Sequence, residues 1–213
     1  AGKNPAVLEA AKRYYAEIMM PFRQMIKGNM EKVRKLEIEI IAPSHGPLWD
    51  FPEIIMSAYE DWISDTVGNK VVIPFISMHG ITAKMVDFLT SELADRKVEV
   101  HLFDLAVTDI GKLAMELVDA ATVVIGTPTV HVGPHPNVAY AATLANAIKP
   151  KLKYAAVIGS YGWATKAVEH ITGMIPALKV EVLGAVLCKG DPKPETYEQL
   201  RDLAELIATK HSQ

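Results

Sequence analysis

The segment KVVIPFISMHGIT, Lys70 to Thr82, decides the architecture. Residues 70–77 (KVVIPFIS) are β-rich and continuously apolar, as a strand buried on both faces should be. Gly80 then lets the backbone approach closely. From Thr82 to Asp95 the apolar residues Met85, Phe88, Leu89 and Leu93 recur at helical spacing. Strand, tight turn and helix make one βα unit.

The same unit recurs downstream. VEVHLFD (98–104) alternates like a less deeply buried strand, and Thr108 is expected to cap a helix running to about Asp119. ATVVIGT (121–127) is a second buried run. Asn137 is expected to cap the helix after it, which ends near Ile148 because Pro150 forbids continuation. KYAAVIGS (153–160) is a fourth strand, with a helix from about Ala164. VEVLGAVLC (180–188) is the fifth, and the last helix spans about Pro194 to Lys210. Five βα units imply a parallel sheet with helices on both faces. They fit a doubly wound sheet of order 2-1-3-4-5, which binds ligands at the carboxyl ends of strands beside its switch point. The loops after strands one, three and four are therefore expected to carry the chemistry.

Residues 1–69 stand outside the repeat. Asn4-Pro5 signals a helix start, with a helix to about Met20 and a second, after Pro21, to about Lys35. LEIEII (36–41) reads as a strand and Pro52 opens a helix to about Asp65. Between them IIAPSHGPLWDF (40–51) holds His45 on a loop stiffened by Pro43 and Pro47. A single strand makes no sheet, so this α/β extension reads as incomplete or as leaning on something outside itself. DTVGNK (65–70) links it to the repeat.

The chain has 213 residues, a net charge of −3 and 22% charged residues. That balance supplies no electrostatic case for nucleic acid or an anionic membrane. No apolar run reaches the roughly 18 residues of a membrane span. The charged, helical start AGKNPAVLEAAKRYY is not a signal peptide. It lacks an initiator methionine, so a processed, trimmed or internally begun chain is expected. The single cysteine, Cys188, reads as a small core residue. A cytoplasmic protein is the expectation.

Three loops remain. Ser77-Met78-His79-Gly80-Ile81-Thr82 could cradle a phosphate through helix-start amides and two hydroxyls. It reads equally well as an ordinary turn with a hydroxyl cap. Neither G-x-x-x-x-G-K-[ST] nor G-x-G-x-x-G is present, which argues against a nucleoside triphosphate and a dinucleotide. GTPTVHVGPHPN (126–137) carries His131 and His135, but Gly133 and Pro134 between them rule out a metal-binding helix. A polar loop around a planar ligand fits better. In GSYGWATK (159–166), Tyr161 and Trp163 suit either stacking on a flat ring or plain packing. Together the loops match the places where this fold holds flavin mononucleotide (FMN).

Residues 70–210 resemble the flavodoxin domain of flavodiiron proteins (A-type flavoproteins). The resemblance rests on Ser77 to Thr82, on Thr127-Pro128-Thr129-Val130-His131 with Gly133-Pro134, and on Ser160-Tyr161-Gly162-Trp163 after Gly159. His79 stands where ordinary flavodoxins have threonine, and His131 where an asparagine is common. RYYAEIMMPF and IIAPSHGPLW resemble the end of the family's metallo-β-lactamase-like domain. The resemblance implies a remnant of that domain over 1–66 and a flavodoxin-like FMN domain over 67–213. It makes His45 an iron ligand only if the other ligands come from upstream sequence or another chain, since the family's H-x-E-x-D-H motif is not here.

The resemblance also implies an FMN-binding electron-transfer unit of a flavodiiron oxidoreductase. Such a unit takes electrons from a rubredoxin-like protein or a reduced coenzyme and delivers them to a diiron centre, reducing O2 to water or NO to N2O. A homo-oligomer, or a complementary metallo-β-lactamase-like chain, is implied as partner. Two alternatives stand beside this: a stand-alone FMN carrier, and an NAD(P)H-dependent flavin or quinone reductase.

Overall fold

In the computed structural model, which describes residues 4–213, five strands pair in parallel. They are β1 (Lys70–Phe75), β2 (Glu99–Asp104), β3 (Thr122–Val130), β4 (Tyr154–Tyr161) and β5 (Glu181–Lys189), in the order β2-β1-β3-β4-β5. This is the expected flavodoxin-like arrangement. The register runs Val71↔Thr122↔Tyr154 across the middle of the sheet, so β1, β3 and β4 end close together at their carboxyl edge. A two-residue piece, Gly133–Pro134, folds back antiparallel on the end of β3.

Alternation along the central strands sends side chains into two cores. Val71, Ile73, Val124, Ala156 and Ile158 face α4 (Ile81–Asp95) and α8 (Pro194–His211), where Met85, Leu89, Leu200 and Ile207 meet them. Val72, Val123, Ile125, Ala155 and Val157 face the other layer. That layer is α5 (Ile110–Leu117), α6 (Pro136–Ile148) and α7 (Ala167–Met174). The edge strand β2 is largely exposed or half-buried, as its alternating sequence indicates. Cys188 lies in the first core, 4% exposed, and burial pushes its thiol pKa up.

The N-terminal extension joins the second core. α1 (Pro5–Tyr14) begins at Asn4, whose side chain accepts the Ala6 N–H. A π-turn (Tyr15–Met19) and a 3-10 turn (Met20–Phe22) lead past Pro21 into α2 (Arg23–Val33), and α3 (Pro52–Ile63) follows. Tyr15 is fully buried beside Trp62 and edge-on to Tyr59. Its hydroxyl donates to Trp62 O at 3.2 Å, and burial pushes its pKa up to about 12. The Arg13 guanidinium donates to both Asp109 carboxylate oxygens, 2.5 and 2.9 Å, and so ties α1 to the start of α5.

Several local expectations change. LEIEII does not form a strand: only Ile41 and Trp49 pair, as an isolated antiparallel bridge. Leu36 and Ile40 are 65% and 60% exposed, so these β-forming residues have no ladder partner among the described residues. Asp109, not Thr108, caps α5, because its carboxylate accepts the Gly111 N–H. His135, not Asn137, caps α6, because its ring Nδ1 accepts the Asn137 N–H. α7 starts at Ala167 rather than near Ala164.

Candidate functional site

The loops after β1, β3 and β4 gather at one edge of the sheet. After β1 the chain turns through Ser77, Met78 and His79 to Gly80, which takes a left-handed φ of 81° at the N-cap of α4. Met78 and His79 are exposed, Ile81 is half-buried and Thr82 is buried. Gly80 offers no capping side chain, and the first turn of α4 carries no acidic residue. The Ser77 hydroxyl accepts the Ala83 N–H at 3.1 Å. The remaining first-turn amides and the helix dipole favour an anion. Lys84, the nearby cation, is engaged by Asp191 at 2.7 Å. This donor set fits a phosphate held by backbone rather than by ammonium groups.

The loop after β3 is a hairpin, more ordered than a polar loop. Thr127 is buried, and its hydroxyl donates to Pro128 O and accepts the His135 N–H. Pro128, Thr129 and Val130 are half-buried on the outgoing arm, and Gly133 is buried on the return. The tip is His131 and Val132, with φ of 46° and 72°. Both central residues at positive φ make the twist that suits a two-residue hairpin. His131 points outward from an exposed tip, and His135 is occupied as the α6 cap.

β4 delivers Ser160, Tyr161, Gly162 and Trp163 beside this hairpin. Gly159 is required where β4 passes β3: a Cβ there would fall 2.1 Å from Thr127 O. The Ser160 and Thr82 hydroxyls lie 3.4 Å apart and buried, linking the first and third loops. Tyr161 is half-buried and its carbonyl accepts the Gly190 N–H at 2.9 Å. Trp163 is 88% exposed. A large indole left in solvent beside these loops is suited to cover a flat ligand.

Two features of the site are not singled out by sequence. Thr165 bonds to Thr129 across the rim, a contact with no local sequence signal. The loop after β2 also reaches the site edge: Val107 is 85% exposed, and Asn137 Nδ2 donates to Leu105 O.

His45 lies apart, on an exposed loop closed by the Ile41–Trp49 bridge and turned at Gly46, φ 95°. Its ring rests against Tyr14, centroids 5.6 Å apart. Among the described residues, no three His, Cys, Asp or Glu side chains converge as a metal site.

The sequence profile of the flavodoxin family matches residues 73–203. The chain is 31% identical over 211 residues to a nitric oxide reductase of Moorella thermoacetica, covering 95% of this chain and 53% of that protein. Among solved structures, the rubredoxin oxygen:oxidoreductase of Desulfovibrio gigas superposes with a TM-score of 0.88 at 26% identity, over 94% of this chain and 52% of that one. The flavodiiron protein of Giardia intestinalis superposes with a TM-score of 0.85 at 25% identity, over 94% and 51%. The chain thus spans about half the length of the curated relatives it matches.

Proposed function

The chain belongs to the flavodoxin family, and from that premise we propose that it is the FMN-binding, electron-transferring half of a flavodiiron oxidoreductase that reduces O2 to water or NO to N2O. One observation carries the reading. An anion-seeking helix start, a shaped hairpin and an exposed tryptophan converge at the carboxyl ends of β1, β3 and β4, where this sheet topology binds ligands.

Bound FMN supplies a carrier able to take up two electrons and release them singly. The chain's own residues bind and shield it. Ser77, Thr82 and the backbone of Met78, His79, Gly80 and Ile81 would hold the phosphate against the α4 dipole. Thr127, Pro128, Thr129, Val130, His131 and Gly133 would line the ring edge, largely through backbone groups. Ser160, Tyr161, Gly162 and Trp163 would close the pocket and exclude water from one face.

Residues 1–66 are assigned to the closing part of a metallo-β-lactamase-like domain, and 67–213 to the FMN domain. Support comes from the surface of the extension. Ile18, Phe22, Met25, Leu36, Ile40 and Leu48 are all at least half exposed, more apolar surface than a free-standing extension ordinarily shows. A body of complementary sequence would cover it, and the same body would supply partners for His45 at a diiron centre. The electron donor is a rubredoxin-like protein or a reduced coenzyme, and the working form is a homo-oligomer or a complex with a complementary chain. No helix of the described residues is long and apolar enough to cross a membrane. A cytoplasmic setting belongs to the same proposal.

The test is donor selectivity of the FMN-loaded chain. Reduced rubredoxin is expected to reduce the bound flavin rapidly, while NAD(P)H alone produces no turnover and bound iron stays well below two per chain. Rapid, sustained NAD(P)H oxidation by the isolated chain would instead make it a self-contained flavin or quinone reductase.

A further inference from the structure

The segment Thr165–His170, which enters α7 and forms its first turn, is fastened to the hairpin after β3 at three points. Thr129 Oγ1 donates to Thr165 Oγ1 at 2.8 Å. The Lys166 N–H donates to Val132 O at 2.7 Å. His170 stands against Gly133: a Cβ on that glycine would lie 2.9 Å from the ring Nδ1, so only glycine leaves room for the histidine without a shift.

These ties converge on a turn that needs holding. His131 and Val132 both occupy the left-handed region. Glycine and asparagine enter it readily, whereas a β-branched side chain there is an outlier. Such a conformation persists only where the surroundings over-determine it. The Thr165 hydroxyl is itself fixed, because it also accepts the Ala167 N–H at 3.1 Å. Its position is thus set by the first turn of α7, a rigid element rather than a mobile loop.

We propose that Thr165 is a positioning residue: through Thr129 it holds the strained His131–Val132 turn in the shape that receives the flavin ring edge, and it couples that hairpin to the Tyr161–Trp163 loop as one clamp. The two loops then close on the ring together. The proposal rests on the FMN reading of the site, and it assigns a role to a residue outside the set that would touch the cofactor.

FMN titration and potentiometry on T129V, T165V, T165S and the T129V/T165V double variant test it. T129V, which loses one hydrogen bond, should raise the FMN Kd by roughly fivefold and move the midpoint potential of the bound flavin; T165V, which also loses the acceptor for the Ala167 N–H, should do so at least as strongly. T165S keeps the hydroxyl and should match the unsubstituted chain. The double variant should lose no more than the weaker-binding single variant, because both changes remove the same bond. T129V leaves the Ala167 N–H to Thr165 bond in place, so it separates the strap from support of the start of α7. Unaltered FMN affinity and potential in T129V, or additive losses in the double variant, would overturn the strap. If the unsubstituted chain has no affinity for FMN, the cofactor reading falls with it; if it binds and T129V binds equally well, the strap alone falls.

Discussion

Trp163 separates packing from function most cleanly at the scale of single residues. Its sequence admits either role, but 88% exposure leaves it almost nothing to pack against. Trp163→Ala should therefore change the unfolding free energy by no more than about 0.5 kcal/mol. The same change should weaken FMN about tenfold through loss of an aromatic face. Urea unfolding and FMN titration of the variant measure both; a large loss of stability would return Trp163 to a packing role. Tyr161 differs, being half-buried and fixed through its carbonyl. Glycines were legible as loop residues but not their reasons: Gly80 takes a positive φ at the N-cap of α4, and Gly159 stands where no Cβ fits. Thr165 was not legible, because its partner Thr129 lies 36 residues away and only the fold brings them together. His135 was legible as a loop residue but not as a helix cap, since histidine ranks low among capping residues.

Elements buried on both faces were readable to within a few residues. The runs at β1, β3 and β4 are continuously apolar because each strand has a core on either side. The hairpin after β3 was hidden for the opposite reason: His131-Val132 is not a turn pair that local preference would select. LEIEII has the composition of a strand and fails to become one, since a strand is defined by its neighbour and Ile41–Trp49 is the only pairing formed there among the described residues. The end of α8 shows how an element is pinned. His211 Nδ1 lies 2.8 Å from Asn69 Oδ1, and its Nε2 lies 2.7 Å from the Thr122 hydroxyl. Burial, and secondarily Lys153, lowers its pKa. A histidine depressed in the folded state stays neutral while the unfolded chain takes up a proton. Its contribution is therefore complete above the ordinary histidine range and is lost as pH falls through that range toward the folded value. The urea midpoint should fall between about pH 7.5 and about pH 5.5, and less steeply in His211→Gln. An equal slope in the two proteins would remove His211 as the cause.

Across the whole molecule, the extension and the βα repeat share one core: Tyr15, Trp49 and Trp62 lie in the same apolar cluster as Leu113, Val138 and Val157. The extension is therefore built onto the sheet's helical layer, while Ile18, Phe22, Met25, Leu36, Ile40 and Leu48 on it stay exposed. The central claim is that the carboxyl edge of the sheet binds FMN by its phosphate and its ring together. The most direct measurement is titration of the flavin-free chain with FMN and, in parallel, with riboflavin. The α4 amides meet a phosphate only in FMN, so FMN should saturate at one per chain and bind at least about tenfold more tightly than riboflavin. Equal affinity for the two, or no binding of either, would contradict it.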